Sequence, residues 1–248
     1  MTYSLLLALT FLLFSQTTLA AKEIKVGVDT FDYFPLHSFD TESEQYKGYA
    51  RELLDLFSEK YGYTFTYVPL PRSRMYKMYL SQQIDAVFPD NPKWSFDQKI
   101  DKPVLYTSPV NYLREVMFVH QEKKAMQFND LKKLGVIQGT LPWKLSPAID
   151  SGRIQVIEAQ DPYTLLDLVE KGRIDGAVLD LDIGRSLLYV LKLDLTLTFN
   201  VNILKTQAET YHLSTILKPE LIDQFEEFSA KYQYEINELK YKYDIMLY

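Results

Sequence analysis

The sequence predicts an α/β protein of two lobes, each a mostly parallel sheet flanked by helices, with extended segments joining the lobes. The first observation is an alternation of strand-like and helix-like segments between residues 24 and 88. The second is the return of this alternation between residues 135 and 179. Such alternation is typical of parallel sheets covered by helices. The third is a stretch without helical periodicity, residues 104–119, between the two alternating regions.

The first alternating region is assigned from the spacing of its apolar residues. Residues 24–28 form a short apolar strand. Residues 63–68 have strand composition with alternating aromatic residues, and Pro69 and Pro71 are expected to break this strand. Between these strands lies a helical stripe that a glycine would end: Ala50, Leu53, Leu54, Phe57, Tyr61 and Gly62. A helix and a strand complete the unit, at residues 72–82 and 84–88.

The second alternating region repeats this order. Three strands are predicted, at residues 135–137, 154–157 and 174–179. Two helices are predicted between them, at residues 142–149 and 162–170. From Pro219 onward the chain is predicted to be helical, because its apolar residues follow a helical stripe: Leu221, Ile222, Phe225 and Phe228.

Composition excludes several classes of function. The 248 residues include no cysteine, which excludes disulfide scaffolds, zinc–thiolate sites, iron–sulfur ligation and cysteine nucleophiles. The net charge of −6 argues against non-specific binding of nucleic acid, so no nucleic-acid partner is expected. Neither GxGxxG nor GxxxxGK[ST] occurs, so both kinds of nucleotide-cradling loop are absent. His37, His120 and His212 lie far apart, and we expect no metal site and no cofactor.

The first twenty residues, 1–20, are interpreted as a cleavable signal peptide. Residues 5–14 form an apolar run of signal-peptide length, too short to span a bilayer comfortably. Thr18 and Ala20 form an acceptable cleavage pair, so the mature chain would start at Ala21. Export of a chain without cysteine fits the bacterial periplasm. The alternative is an uncleaved anchor or a buried N-terminal helix, since no Lys or Arg precedes the run.

Two similar segments place an aspartate at the end of a strand in each lobe. Residues 84–90 and 174–180 both begin with Ile-Asp and end with Asp. Ligands of open α/β sheets bind outside the carboxyl ends of the strands. We therefore predict that Asp90 and Asp180 face one crevice, each from its own lobe. The alternative is that each aspartate begins the next turn or caps the next helix.

Six segments, in the same order, resemble the bacterial extracellular solute-binding proteins of family 3, the type II periplasmic binding proteins. These segments are Asp32–Leu36, Gly48–Leu53, Gln83–Ala86, Tyr106–Val110, Leu134–Thr140 and Lys171–Asp180. The resemblance implies two lobes joined by a two-segment hinge, which close over a ligand by hinge motion. Lobe 1 would comprise residues 21–110 and 205–248, and lobe 2 residues 111–204.

The resemblance also implies ligand-binding residues. Tyr33 would pack against the ligand, and Asp180 matches the acidic residue that takes the α-amino group in amino-acid binders. Gly139 and Thr140 would lie at a helix N-terminus, which favours an anion. Trp143 would either reach the crevice or pack under the sheet. Independently of the resemblance, a crevice with four aromatic residues would hold an aromatic or cationic ligand by stacking and cation–π contact: Tyr33, Phe34, Trp94 and Trp143.

The sequence departs from the family at the residue that clamps the ligand's carboxylate. Amino-acid binders carry a Ser/Thr-rich loop and then an Arg that binds the α-carboxylate in a bidentate manner. Residues 88–97 contain no Arg, and Asp90 replaces a hydroxyl residue. Arg72 would supply the missing cation, or else it is a surface residue at a helix start. Lys93 is a second substitute, although a lysine does not reproduce the guanidinium fork.

We therefore predict a periplasmic solute-binding protein that captures a small polar ligand, amino-acid-like or amine-bearing, for an ABC transporter. We expect a monomer without catalytic residues. One alternative is a lyase on the same fold, similar to cyclohexadienyl dehydratase. Another is a ligand-sensing partner of a membrane receptor, which would use the same crevice without transport.

Overall fold

The computed structural model describes residues 22–40, 42–140, 142, 145–204 and 209–245. The predicted signal peptide, residues 1–20, lies outside these described residues. The strands are β1 (Lys22–Asp29), β2 (Ser38–Asp40), β3 (Gln45–Lys47), β4 (Tyr63–Leu70), β5 (Ala86–Asp90), β6 (Leu105–Tyr106), β7 (Asn111–Leu113), β8 (Glu115–His120), β9 (Lys133–Ile137), β10 (Gln155–Ala159), β11 (Gly176–Asp180), β12 (Leu197–Asn200) and β13 (Glu209–Thr215). The α helices are α1 (Tyr49–Tyr61), α2 (Arg72–Leu80), α3 (Phe96–Lys99), α4 (Ser146–Asp150), α5 (Pro162–Glu170), α6 (Leu181–Leu191), α7 (Pro219–Lys231) and α8 (Gln233–Lys242).

The first sheet has the order β4-β1-β5-β13-β6, and β7 also pairs with β13. Strand β1 runs parallel to both β4 and β5, whereas β13 runs antiparallel to β5. Aromatic residues of α1 and α7 meet on this sheet, with the ring centroid of Phe57 5.0 Å from that of Phe225 and 5.2 Å from that of Phe228. These rings belong to the apolar stripes that the spacing predicted, and through them the two helices pack against the sheet.

The second sheet has the same plan in the order β10-β9-β11-β8-β12. Strand β9 runs parallel to β10 and β11, and β8 runs antiparallel to β11. In each sheet, three parallel strands are therefore followed by an antiparallel strand, and a fifth strand, β6 or β12, pairs antiparallel with that one. The α/β fold class predicted from the sequence is confirmed.

Two crossings connect the bodies built on these sheets. Strand β7 pairs with β13 in the first sheet, and β8, which starts at Glu115, lies in the second, so the outward crossing is at Arg114. The return runs from Asn200, the last residue of β12, to Glu209, the first residue of β13. The lobe boundaries at 110/111 and 204/205 remain predictions, and β7 lies just beyond the first of them. None of the helices in the described part of the chain is both long and apolar enough to cross a bilayer.

The structure corrects one predicted strand end and adds two helices, α3 and α6. Strand β4 continues through Pro69, which pairs with Val28, so the prediction that Pro69 breaks the strand was wrong. Pro69 is tolerated because β4 lies at the edge of the sheet, where one side of the strand has no partner. Helix α6 was not assigned from the sequence. Gly184 lies within it, and glycine lowers helix propensity.

We expect Gly184→Ala to destabilise the protein, because the helix packs closely on β8 at this position. A Cβ atom at Gly184 would lie 2.0 Å from Cζ of Phe118, a buried residue. Overpacking of this kind costs roughly 1–3 kcal/mol, more than the gain in helix propensity. Thermal melts of Gly184→Ala and of the exposed control Arg185→Ala measure this cost. Equal melting temperatures of these two variants would contradict the close packing. Adding Phe118→Leu to Gly184→Ala should recover part of the lost stability.

Candidate ligand-binding site

A cavity of about 270 Å³ lies between the two bodies and is lined from both. The first body, which includes β7 and β13, contributes Tyr33, Arg72, Lys93, Trp94, Ser95, Leu113, Glu209 and Tyr211. The second body contributes Glu115, Val136, Gly139, Thr140, Pro142, Val178, Leu179 and Asp180. The cavity therefore brings together six of the predicted site residues: Tyr33, Arg72, Trp94, Gly139, Thr140 and Asp180.

On the wall that the first body contributes, the cation Arg72 is bound to a buried carboxylate. It is the first residue of α2, and its Nε donates a hydrogen bond of 2.7 Å to Oδ2 of Asp29, at the end of β1. The guanidinium carbon lies 5.0 Å from the ring centroid of Trp94 and 5.8 Å from that of Phe31. Burial opposes the charge of Arg72, but the Asp29 carboxylate, together with Tyr33 and Tyr76, raises the pKa of Arg72 above its usual range. Arg72 is therefore not a surface residue, the alternative that its sequence position left open.

Aromatic side chains form much of the remaining first wall. Burial raises the pKa of Tyr33 to about 12, so its hydroxyl stays neutral at physiological pH. The ring of His37 lies 5.3 Å behind Tyr33, and burial lowers the pKa of His37 to about 4, so this ring is neutral as well. Trp94 meets Tyr211 edge to face at 5.5 Å, and its Nε1 donates to Oε2 of Glu209 at 3.4 Å. This wall can contact both apolar and cationic groups.

Asp180 is the most deeply buried carboxylate of the cavity lining. It ends β11 and caps α6, because Oδ1 accepts the backbone N–H groups of Asp182 and Ile183 at 2.9 and 3.3 Å. Its Oδ2 accepts the backbone N–H of Arg114, the crossing residue, at 2.9 Å. Burial, followed by the charge of Asp182, raises the pKa of Asp180 to about 7. Capping and facing the crevice, which the sequence analysis set as alternatives, are combined in this one residue.

Gly139 and Thr140 line the cavity as a turn after β9. Gly139 has φ of 76°, and the hydroxyl of Thr140 donates to the backbone carbonyl of Ile137 at 2.7 Å. The helix start predicted beside them is displaced, since α4 begins at Ser146. Pro147 accounts for this start, because a proline in the first turn fixes where a helix begins.

Asp90, unlike Asp180, is not among the residues that line the cavity. Its side chain is fully buried in the first body, where Oδ1 accepts from the Tyr76 hydroxyl and the Lys99 ammonium at 2.6 Å each. Its Oδ2 accepts from the Ser214 hydroxyl at 2.6 Å, and the Asn91 N–H also donates to Oδ1. These four donors explain how the carboxylate is buried without facing the crevice.

Phe34, another predicted site residue, does not line the cavity. Phe34 is 46% exposed, and its ring meets the edge of Tyr243 at 6.1 Å on the outside of the first body. Trp143 lies outside the described residues. The described ranges hold no group of three or more His, Cys, Asp or Glu side chains that could bind a metal ion.

The sequence analysis missed the lining residues on the two strands that follow the crossings, β8 and β13. Glu115 starts β8, and Glu209 and Tyr211 lie on β13, which was not assigned as a strand. The alternation Glu209-x-Tyr211 was the available signal, because residues two apart on a strand share a face.

The chain matches the family model of the bacterial extracellular solute-binding proteins, family 3, over residues 24–243. No curated protein matches it significantly. Among solved structures, a histidine kinase sensor domain with similarity to periplasmic binding proteins has a TM-score of 0.71 at 20% identity, covering 89% of this chain and 95% of that one.

Two further solved structures have the same fold. The substrate-binding protein of an amino acid ABC transporter has a TM-score of 0.70 at 16% identity, covering 89% of this chain and 98% of that one. The ancestral amino acid-binding protein AncCDT-1, a precursor of cyclohexadienyl dehydratase, has a TM-score of 0.67 at 19% identity, covering 89% and 95%.

Proposed function

The chain belongs to the bacterial extracellular solute-binding proteins of family 3, and from this premise we propose that its cavity captures a small amino-acid-like or amine-bearing ligand. The observation that carries this proposal is the placement of both cations of the described cavity lining, Arg72 and Lys93, on the first body beside Glu209, opposite the carboxylates Asp180 and Glu115 on the second. A guanidinium group binds a carboxylate, and a buried carboxylate favours an ammonium group. A ligand that carries both groups would bridge the walls.

We propose that the protein is exported to the periplasm through residues 1–20 and delivers its ligand to an ABC-transporter permease as a monomer. The solved substrate-binding protein of an amino acid ABC transporter has this fold, which supports the transport role. The position of Asp180 supports hinge closure, since it lines the cavity and also accepts a hydrogen bond from Arg114 at the crossing. A ligand that contacts Asp180 would thereby act directly on one hinge segment.

A second candidate is a ligand-sensing partner of a membrane receptor. The likeness to a histidine kinase sensor domain favours it, because that structure shares the fold and most of its length with this chain. A permease and an ATPase gene beside this gene would favour transport, whereas a neighbouring sensor gene would favour the receptor. Turnover of the captured ligand would instead support a lyase.

The experiment that tests binding is a thermal-shift screen of protein refolded to remove co-purified ligand. The panel holds amino acids, polyamines, aromatic acids, sugars and oligopeptides. A ligand at about 100 times its Kd adds about 2.7 kcal/mol to the free energy of unfolding. For a chain of this size the melting temperature should rise by roughly 5–10 °C. A hit among amine-bearing compounds supports the proposal, and no shift across the panel contradicts it.

We expect Arg72→Met to lower the affinity for a carboxylate-bearing ligand from the screen by about tenfold or more. The reason is the loss of a charge-assisted hydrogen bond of roughly 1.5–3 kcal/mol. The hit and its carboxamide analogue are titrated side by side. The loss should be confined to the carboxylate form. Arg74→Met is the matched control, since Arg74 is an exposed arginine on the same helix. Equal affinities of the two variants would exclude Arg72 from the site.

A further inference from the structure

We propose that Asp29 is a positioning residue that holds Arg72 by its Nε, so that only the terminal Nη groups of this arginine receive the ligand's anionic group. The proposal rests on the proposed function, since it assigns a role within the same cavity. It concerns a residue that is not itself among those lining the cavity.

Both oxygens of Asp29 are engaged within the first body. Oδ1 accepts the backbone N–H of Phe31 at 3.2 Å, and Oδ2 accepts Nε of Arg72 at 2.7 Å. The Asp29 side chain is 5% exposed, whereas that of Arg72 is 23% exposed and reaches the cavity. Asp29 is thus placed to act on the ligand through the arginine.

The second constraint on Arg72 comes from the rings beside it. Phe31 follows Asp29 by two residues, and the backbone bond from Phe31 to Oδ1 of Asp29 fixes this turn. The guanidinium carbon lies 5.8 Å from the Phe31 ring and 5.0 Å from the Trp94 ring. The Asp29 carboxylate therefore fixes the rotation of the guanidinium plane, and the two rings restrict its tilt.

This arrangement determines which part of Arg72 a ligand meets. A guanidinium group has five N–H donors, one on Nε and four on the two Nη atoms. With Nε bound to Asp29, the pair of Nη atoms forms an end-on fork that matches the two oxygens of a carboxylate. Holding the fork in advance removes the cost of ordering a long side chain when the ligand binds.

The first arm of the test needs no ligand. The chain has two tryptophans, so Trp143→Phe leaves Trp94 as the only one. In this background we compare Asp29→Ser and Arg72→Met by Trp94 emission and by acrylamide quenching. Serine keeps a hydroxyl for the Phe31 N–H but is too short to hold Arg72. Asp29→Ser should move both signals toward the Arg72→Met values. Signals that stay at the parent values would overturn the proposal.

The second arm uses L-glutamine as the probe and L-glutamine amide as the control that lacks the carboxylate. Asp29→Ser should lower the affinity for L-glutamine by about tenfold when Arg72 is present. In an Arg72→Met background the same substitution should change the affinity by no more than about twofold, because Asp29 acts through the arginine. Equal losses in both backgrounds would mean that Asp29 contacts the ligand itself, and this would overturn the proposal.

The two arms separate this proposal from the proposed function. If neither probe binds, the amino-acid ligand fails, and the Trp94 signals alone decide whether Asp29 holds Arg72. If Asp29→Ser does not fold, Asp29→Asn replaces it, because Phe31 and Arg72 donate to different oxygens of Asp29 and the NH2 group of asparagine cannot accept a hydrogen bond. Circular dichroism of each variant verifies that the fold is kept.

Discussion

Replacing Lys99 by methionine is expected to destabilise the protein by about 3–5 kcal/mol, because it leaves the Asp90 carboxylate buried without its cation. The Lys99 ammonium lies 2.6 Å from Oδ1 of Asp90 and donates to the Asn91 carbonyl at 2.9 Å. It also lies 4.6 Å from the ring centroid of Tyr76. The melting temperature should fall by roughly 10 °C or more, measured by calorimetry.

A double substitution and a surface control make this expectation specific. Lys99→Met combined with Asp90→Asn removes both charges, so most of the lost stability should return. Lys171→Met breaks an exposed pair with Asp167, 2.6 Å apart on α5 and the turn after it, and should leave the melting temperature nearly unchanged. A Lys99→Met melt close to that of Lys171→Met would show that the buried pair is not needed.

This buried pair explains why one strand-end aspartate, Asp180, lines the cavity and the other, Asp90, does not. Asp90 and Asp180 end equivalent strands, β5 and β11. After β11 the chain enters α6 directly, so Asp180 stays at the strand end as the helix cap. After β5 a loop and the short helix α3 bring Lys99 back onto Asp90. A contact between residues nine apart, on either side of a loop, has no periodic signal in the sequence.

The other differences between sequence and structure have equally local causes. Helices α1 and α5 were predictable because each has an apolar stripe that faces the sheet of its own body. Helix α1 ends at Tyr61, just before Gly62, as predicted. The cavity was less predictable, because part of its lining depends on where the chain crosses between the two bodies. Glu115 and Glu209 begin strands on either side of those crossings. Their role follows from strand pairing between distant segments, which single-residue patterns do not encode.

Stability is expected to fall as pH rises from about 4 to about 7, through Asp180. Burial, followed by the charge of Asp182, raises its pKa from 3.8 to about 7. Between these two values the folded protein holds a proton that the unfolded chain has lost, so the free energy of unfolding decreases with increasing pH. This group contributes a slope of up to about 1.4 kcal/mol per pH unit, which levels off above pH 7. Asp180→Asn should remove this contribution while keeping the helix cap.

Ligand affinity is expected to change in the opposite direction over the same range. An ammonium group favours the charged form of Asp180, so an amine-bearing ligand should bind up to about tenfold more tightly per pH unit on approach to pH 7, then level off. The charged and titratable groups that face Asp180 are Asp182 on α6, Glu115 on β8, Tyr211 on β13 and Tyr33 beyond β1. Both tyrosine hydroxyls remain neutral between pH 5 and 8, because burial raises the pKa of Tyr33 to about 12 and that of Tyr211 well above its ordinary value.

Asp182→Asn provides the matched control for both pH profiles. It removes the neighbouring charge that raises the pKa of Asp180, and it leaves the backbone hydrogen bonds to Asp180 in place. The inflection of the affinity profile should therefore move to lower pH in Asp182→Asn and disappear in Asp180→Asn. Isothermal titration in two buffers of different ionisation enthalpy should also detect a proton released on binding below pH 7. An affinity that is constant between pH 5 and 8, with no proton released, would mean that the ligand's amine does not contact Asp180.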